Sequence, residues 1–193
     1  MSNSEDIKAK IEKYQSERKY CAIYRKMDKH AKYITNGYIL EHNREFVIVY
    51  EVEDFIPRGC AIIPMHYIKK VKRDGSLKFA DNIMEWEGIK DKVAMGTPVD
   101  LTSYVTLFNS LKRAGKNVIV QNESPHIDMF VIGPIAKVTS VAIFIRFFDT
   151  RGYTSDELTR ITFTDISKIV FDDYYIEAFS KYLRKREPKE RSE

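Results

Sequence analysis

Ile63-Pro64-Met65-His66-Tyr67-Ile68-Lys69-Lys70-Val71 can be laid over Ile161-Thr162-Phe163-Thr164-Asp165-Ile166-Ser167-Lys168-Ile169, and this overlay organises the chain. Apolar positions 63, 68 and 71 fall on 161, 166 and 169, and Asp74 falls on Asp172. Identity is low, so the match is one of pattern, a degenerate internal repeat. A sheet of four or five strands in about 50 residues buries only a marginal core. A second copy, with helices, would cover its exposed edges.

Leading into and through the first segment are short β-rich runs: Tyr38-Ile39-Leu40, Phe46-Val47-Ile48-Val49-Tyr50, Cys60-Ala61-Ile62-Ile63 and Tyr67-Ile68. They are separated by His42-Asn43-Arg44, Pro57-Arg58-Gly59 and Pro64-Met65-His66, as turns separate strands of a small antiparallel sheet or barrel. Before Gly37 the period is helical, with Ile7, Ile11 and Tyr14 on one face and Ser2 with Glu5 as a capping box. Asp74-Gly75 ends the unit, and residues 77–95 fit neither period clearly.

Gly96-Thr97-Pro98 reads as a linker or turn. A helix follows, capped by Asp100 or Thr97, with Leu101, Val105, Phe108 and Leu111 on one face and Gly115 placed to terminate it. Strand patterns resume at 118–120, 129–135, 138–148, 158–163 and 166–171. The last helix begins at Asp172 or Asp173 and aligns Tyr175, Phe179 and Leu183. Lys181, Arg184, Lys185 and Arg186 would then complement its dipole before Pro188 stops it. The expected fold is therefore mainly β with flanking helices (α+β). It comprises two small antiparallel barrels, each preceded by a helix, in units 1–95 and 96–193.

The chain has 193 residues, 44% hydrophobic and 31% charged, with a net charge of +4. That apolar fraction excludes a disordered tail, and two cysteines are too few for a disulfide scaffold. Residues 1–30 hold eight Lys/Arg against five Asp/Glu, and residues 181–193 hold six against three. The body between them is close to neutral, and the mixed signs at both ends read as solvated helix surface. No apolar signal-peptide core follows the charged start. The most apolar stretch, 129–145, is interrupted by Gly133-Pro134 and Lys137, well short of the roughly 20 residues of a membrane span. A soluble cytoplasmic protein is the expectation. Cys21 and Cys60 stand in no metal-ligand or redox spacing and read as small buried hydrophobes.

The helix followed by a strongly bent five-stranded sheet resembles the Sm-like fold. Gly59-Cys60-Ala61-Ile62-Ile63-Pro64-Met65-His66-Tyr67-Ile68-Lys69-Lys70-Val71 is similar to the end of SH3-like small barrels, where a short 3₁₀ turn precedes the last strand. Residues 161–175 look like bacterial Sm-like proteins of uncharacterised role, whose closing strand is followed by acidic and aromatic residues. The resemblance covers these two pieces only. It implies tandem small barrels and, for Sm proteins, RNA binding through an Asp-x-x-x-Asn type loop and an Arg-Gly pair. Thr162-Phe163-Thr164-Asp165 and Pro64-Met65-His66 occupy the closing turns instead, and Arg151-Gly152 lies ahead of the preceding strand. The ligand-gripping tryptophan of SH3 domains is also missing, since Trp86 lies after the barrel. Neither RNA nor Pro-rich peptide binding carries over residue by residue.

Chemistry-bearing patterns are sparse. His30, His42, His66 and His126 have no helical metal-ligand partner, and Gly88, Gly96 and Gly115 make no phosphate loop. His126 and Asp128 could share a strand face as base and orienter, although Ser124-Pro125 beside them reads as a polar turn. Cys60 and His66 lack the third group of a nucleophile pair. Glu85-Trp86-Glu87 and Asp172-Asp173 read as caps and surface charge. The best contact candidate is Lys69-Lys70-Val71-Lys72-Arg73, where Lys69, Lys70, Lys72 and Arg73 could hold an anionic partner. The same lysines also suit an edge strand protected from aggregation. The expectation is a non-enzymatic binding or scaffold protein, without cofactor or metal, acting on a protein partner or by self-association. The alternative is RNA or other nucleic-acid binding through the basic cluster.

Overall fold

The computed structural model describes residues 3–27 and 32–185. Ser2, His30, Arg186 and Pro188, invoked above, lie outside them. The chain runs α1 (Asn3–Ser16), β1 (Tyr20–Lys26), β2 (Lys32–His42), β3 (Phe46–Glu53), β4 (Ile56–Pro64), a 3₁₀ turn at Met65–Tyr67, β5 (Ile68–Lys72) and α2 (Gly75–Trp86). It continues with α3 (Tyr104–Arg113), β6 (Asn117–Asn122), β7 (Met129–Val138), β8 (Ala142–Ile145), β9 (Thr159–Thr162), a 3₁₀ turn at Phe163–Asp165, β10 (Lys168–Phe171) and α4 (Tyr174–Ser180). The fold is mainly β. Its ten strands form one antiparallel sheet that is not closed, in the order β5-β1-β2-β3-β4-β10-β6-β7-β8-β9.

That order contains the same arrangement twice. In each half the fifth strand returns past the fourth, across a 3₁₀ turn, to pair with the first. The two segments overlaid in the sequence hold these turns at matching positions. Pro64 (φ −62, ψ 129) and Thr162 (φ −76, ψ 147) precede them, and Ile68 (φ −74, ψ 124) and Ile166 (φ −91, ψ 118) follow. The second strand of each half also carries a glycine against which another backbone closes. A Cβ on Gly37 would lie 2.2 Å from the Tyr50 carbonyl oxygen, and one on Gly133 2.1 Å from that of Arg146. Any other residue there would push the curled sheet apart.

The helical period expected before Gly37 ends at Ser16, and β1 and the start of β2 take its place, although Cys21-Ala22-Ile23 repeats the Cys60-Ala61-Ile62 run of β4. The β1 run Tyr20-Cys21-Ala22-Ile23 is buried, but the turn from α1 uses Arg18 at φ +47 instead of a glycine or proline. Residues 77–95 resolve into α2, capped by Asp74, whose Oδ1 accepts from the Leu77 N–H at 3.1 Å, and a loop. Helix α3 begins later than expected. Its cap is Ser103, which with Thr106 forms a capping box, and not Asp100 or Thr97. Leu101 is therefore outside the helix, though buried. Gly115 ends α3 at φ +67, with the Gly115 N–H bonded to Lys112 and the Lys116 N–H to Leu111, a Schellman pair.

Helix α4 is capped by Asp173 and stops at Ser180, ahead of most of the basic residues assigned to its last turn. Only Lys181 sits at its C-cap; the Arg184 guanidinium lies 4.2 Å over the Tyr153 ring. A short local hydrogen-bond ladder thus wins over helix extension, since the Arg184 N–H donates to Gly152 and the Thr154 N–H to Arg184.

The halves meet where β4 pairs with β10: Ile62 opposite Ile169, Ala61 opposite Val170, Cys60 opposite Phe171. These residues are buried, and the largest apolar cluster runs through this joint from Phe46 and Ile48 to Phe108, Val120 and Ile145. Gly59 permits the joint, because at φ +99 its missing Cβ would stand 2.5 Å from the Asp172 carbonyl oxygen. Polar ties reinforce it. Buried Arg25 on β1 forms a two-pronged ion pair with Glu123, its Nη2 donating to Oε1 at 2.8 Å, while Ser167 Oγ donates to Glu123 Oε2 at 2.9 Å. Lys168 Nζ lies 2.7 Å from Glu51 Oε1. Burial alone would raise the Glu123 carboxyl, but the Arg25 bonds outweigh it and hold the group below the usual carboxylate range.

Candidate functional site

Among the described residues β5 pairs only with β1, so one side of its backbone is an open sheet edge. Val71 lies opposite Ile23, Lys70 opposite Tyr24 and Ile68 opposite Arg25. The register shift between Tyr24 and Arg25 leaves Lys69 as the extra residue of a bulge. Ile68 and Val71 are buried, whereas Lys69 and Lys70 both point to solvent, which strict alternation would forbid.

The structure divides the four predicted cations. Lys69 Nζ donates to the His66 carbonyl at 2.7 Å, and Lys70 Nζ stands 5.9 Å over the Tyr24 ring. Lys72 Nζ lies 2.8 Å from Asp74 Oδ2, so a hydrogen bond raises the ammonium and lowers the carboxyl. Arg73 turns inward, its side chain 13% exposed, and reaches buried Asp81 Oδ2 at 2.8 Å. Asp81 also accepts from Tyr38 Oη at 2.8 Å and lies 3.4 Å from Lys90 Nζ. Burial pushes the Asp81 carboxyl up, yet the bonds from Arg73 and Tyr38 prevail and lower it. Arg73 is thus held inside the structure, and Lys69 and Lys70 are the outward pair.

Beside Lys69 lies a feature that the sequence reading missed. A cavity of about 910 Å³ opens between α1, the β2–β3 turn and the 3₁₀ turn at Met65–Tyr67. Apolar side chains of Ile7, Met65 and Ile68 line it, with Lys8, Arg44 and Lys69 as its cations and Glu12 and Glu45 as its carboxylates. The turn is rigidly built. Asn43 Oδ1 accepts from the Glu45 and Phe46 N–H groups at 2.8 Å, and Asn43 Nδ2 donates to the Leu101 carbonyl at 2.6 Å. His42 Nδ1 is 2.7 Å from Gln15 Oε1. Burial and the nearby Lys69 ammonium lower the pKa of His66 from its ordinary 6.5, so its imidazole is neutral at pH 7. Its lining shows in the sequence only piecemeal, as the helical face with Ile7, the His42-Asn43-Arg44 and Pro64-Met65-His66 turns and the Lys69 cluster, none of which says that the helix stands over the turns.

Other candidates are placed apart. His126 and Asp128 sit on an exposed turn where the Ile127 and Asp128 N–H groups both donate to the Ser124 carbonyl, and neither lines the large cavity. Cys21 and Cys60 are buried, and desolvation pushes both thiols up to about 12. Among the described residues no three His, Cys, Asp or Glu side chains gather as metal ligands, and no helix is long and apolar enough to cross a membrane. No known protein family, curated protein or solved structure matches this chain.

Proposed function

We propose that this chain is a non-enzymatic binding or scaffold module, two Sm-like or SH3-like small barrels fused through a shared sheet, that takes an extended acidic segment of a protein partner along β5. The observation that carries the reading is the unpaired edge of β5 with Lys69 and Lys70 pointing outward. An added strand would bond to the open backbone while its carboxylates meet the two ammonium groups. Self-association by repeating the internal joint is the weaker form of the reading. In the overlay Lys72 stands for Val170, Arg160 for Ile62, and Glu157 for Gly59. Copy-to-copy pairing in that register would bring cations to both edges and a side chain where the joint needs none.

A nucleic-acid reading is favoured by one observation, the grouping of Lys8, Arg44 and Lys69 around the cavity. Fluorescence anisotropy decides between them, using a labelled eight-residue peptide of alternating Glu and Val and a labelled mixed-sequence RNA. The expected result is peptide binding at low salt that weakens as salt rises and disappears in the Lys69→Glu/Lys70→Glu double variant. No peptide binding at low salt, with RNA binding that falls steeply with salt, would replace this proposal with the nucleic-acid one.

A further inference from the structure

The β5 edge begins at the cavity, because Ile68 and Lys69, the first residues of the strand, also line it. Resting on the reading above, we infer that the acidic segment carries a large apolar side chain just after its acidic run, and that this side chain is held in the cavity between Ile7, Met65 and Ile68. Ile7 and Ile68 are buried members of the core under α1, and Met65 packs against that core, so the cavity floor is fixed and apolar. Methionine adapts to an incoming side chain without a shape of its own to defend. Lys8, Arg44 and Lys69 stand around this floor, a combination that suits an apolar group flanked by carboxylates. Lys8 is already answered by Glu12 at 3.7 Å, and of the remaining lining charges Arg44 and Lys69 outnumber the single carboxylate of Glu45, which leaves a net positive face for a newcomer. His66, neutral at pH 7, adds a hydrogen-bonding wall without adding charge.

Direction follows from the sheet. Every strand pairing in it is antiparallel, and the cavity lies at the Ile68 end of β5, where the strand begins. A segment running antiparallel to β5 reaches that end with its C-terminal part. The apolar residue therefore belongs after the acidic run and not before it.

Three labelled peptides test this on the full chain: an acidic run followed by leucine, the same residues with leucine first, and the first peptide with alanine for leucine. Leucine placed last should bind about tenfold tighter than either of the others, as expected for burying one such side chain. The gain should vanish in Ser4→Trp, which fills the cavity mouth from α1, with an unchanged melting temperature showing that the fold persists. A photoreactive leucine analogue in the last position should crosslink to residues 65–68 or to α1. Equal binding of all three peptides overturns the inference while the edge reading stands, and binding by none overturns both. Crosslinking elsewhere, or displacement of the peptide gain by RNA alone without any effect of Ser4→Trp, also overturns it.

Discussion

The joint between β4 and β10 and the open edge of β5 are built from equivalent strands, and they differ in chemistry. At the joint Ile62, Ile169 and Phe171 are buried, and Gly59 lets two backbones close together. On β5 the equivalent of Val170 is Lys72, and on β9 the equivalent of Ile62 is Arg160, which is exposed. One pair of edges meets through buried apolar residues, and the other carries charged ones.

The largest test removes the charge that ties the halves together. Glu123→Ala leaves Arg25, with its side chain 2% exposed, without its carboxylate, and should cost about 3–5 kcal/mol in denaturant unfolding. A loss under ~1 kcal/mol would show that the ion pair contributes nothing to the joint. Ile169→Ala should cost about 2–4 kcal/mol because it opens a cavity at the centre of the joint. If chemical denaturation shows no larger loss there than at an exposed β5 position, the contrast drawn above fails.

Acid should act on the same contrast. Asp81 and Glu123 have carboxyls held below their ordinary values of 3.8 and 4.5. Their stabilisation is complete above those values and is lost as pH falls through the lowered ones. Melting temperature should therefore drop on acidification below about pH 4.5. The drop should be shallower in Glu123→Gln, and unchanged acid sensitivity in that variant would remove Glu123 from the account.

Smaller in free energy is the conversion of the open edges into a joint. Lys72→Val, Glu157→Gly and Arg160→Ile together should give head-to-tail oligomers in sedimentation velocity that grow with concentration. If the triple variant sediments like the parent chain, something other than edge charge keeps the edges apart. Smallest of all, Lys70→Ala should change stability by no more than about 0.5 kcal/mol, read from the same denaturation curves, since its side chain is exposed.

Much of this contrast could be read in the sequence, but unevenly. The turns at 64–66 and 162–165 and the buried positions 63, 68 and 71 over 161, 166 and 169 were legible because turn residues and apolar spacing are local, while a 3₁₀ form entered only through the SH3-like resemblance. The helical face of Ile7 and Ile11, the αL glycine after α3 and the acidic cap of α4 were legible for the same reason. Strand β1 was missed although Cys21-Ala22-Ile23 repeats the run of β4, because the turn before it uses Arg18 in a left-handed conformation and carries no glycine or proline to separate it from α1. At the site, the four cations 69, 70, 72 and 73 were visible as a cluster, but not that Arg73 is drawn to Asp81 or that the bulge turns Lys69 outward.

By itself, then, the sequence determined a helix-led, mainly β chain with two matching strand–turn–strand segments and a basic strand end, since each rests on contacts between near neighbours. Tertiary structure alone decided that the halves share one sheet through β4 and β10, that Arg25 meets Glu123, and that α1 roofs a cavity beside Lys69. Those partners lie far apart along the chain, and only the curl of a folded sheet brings them together.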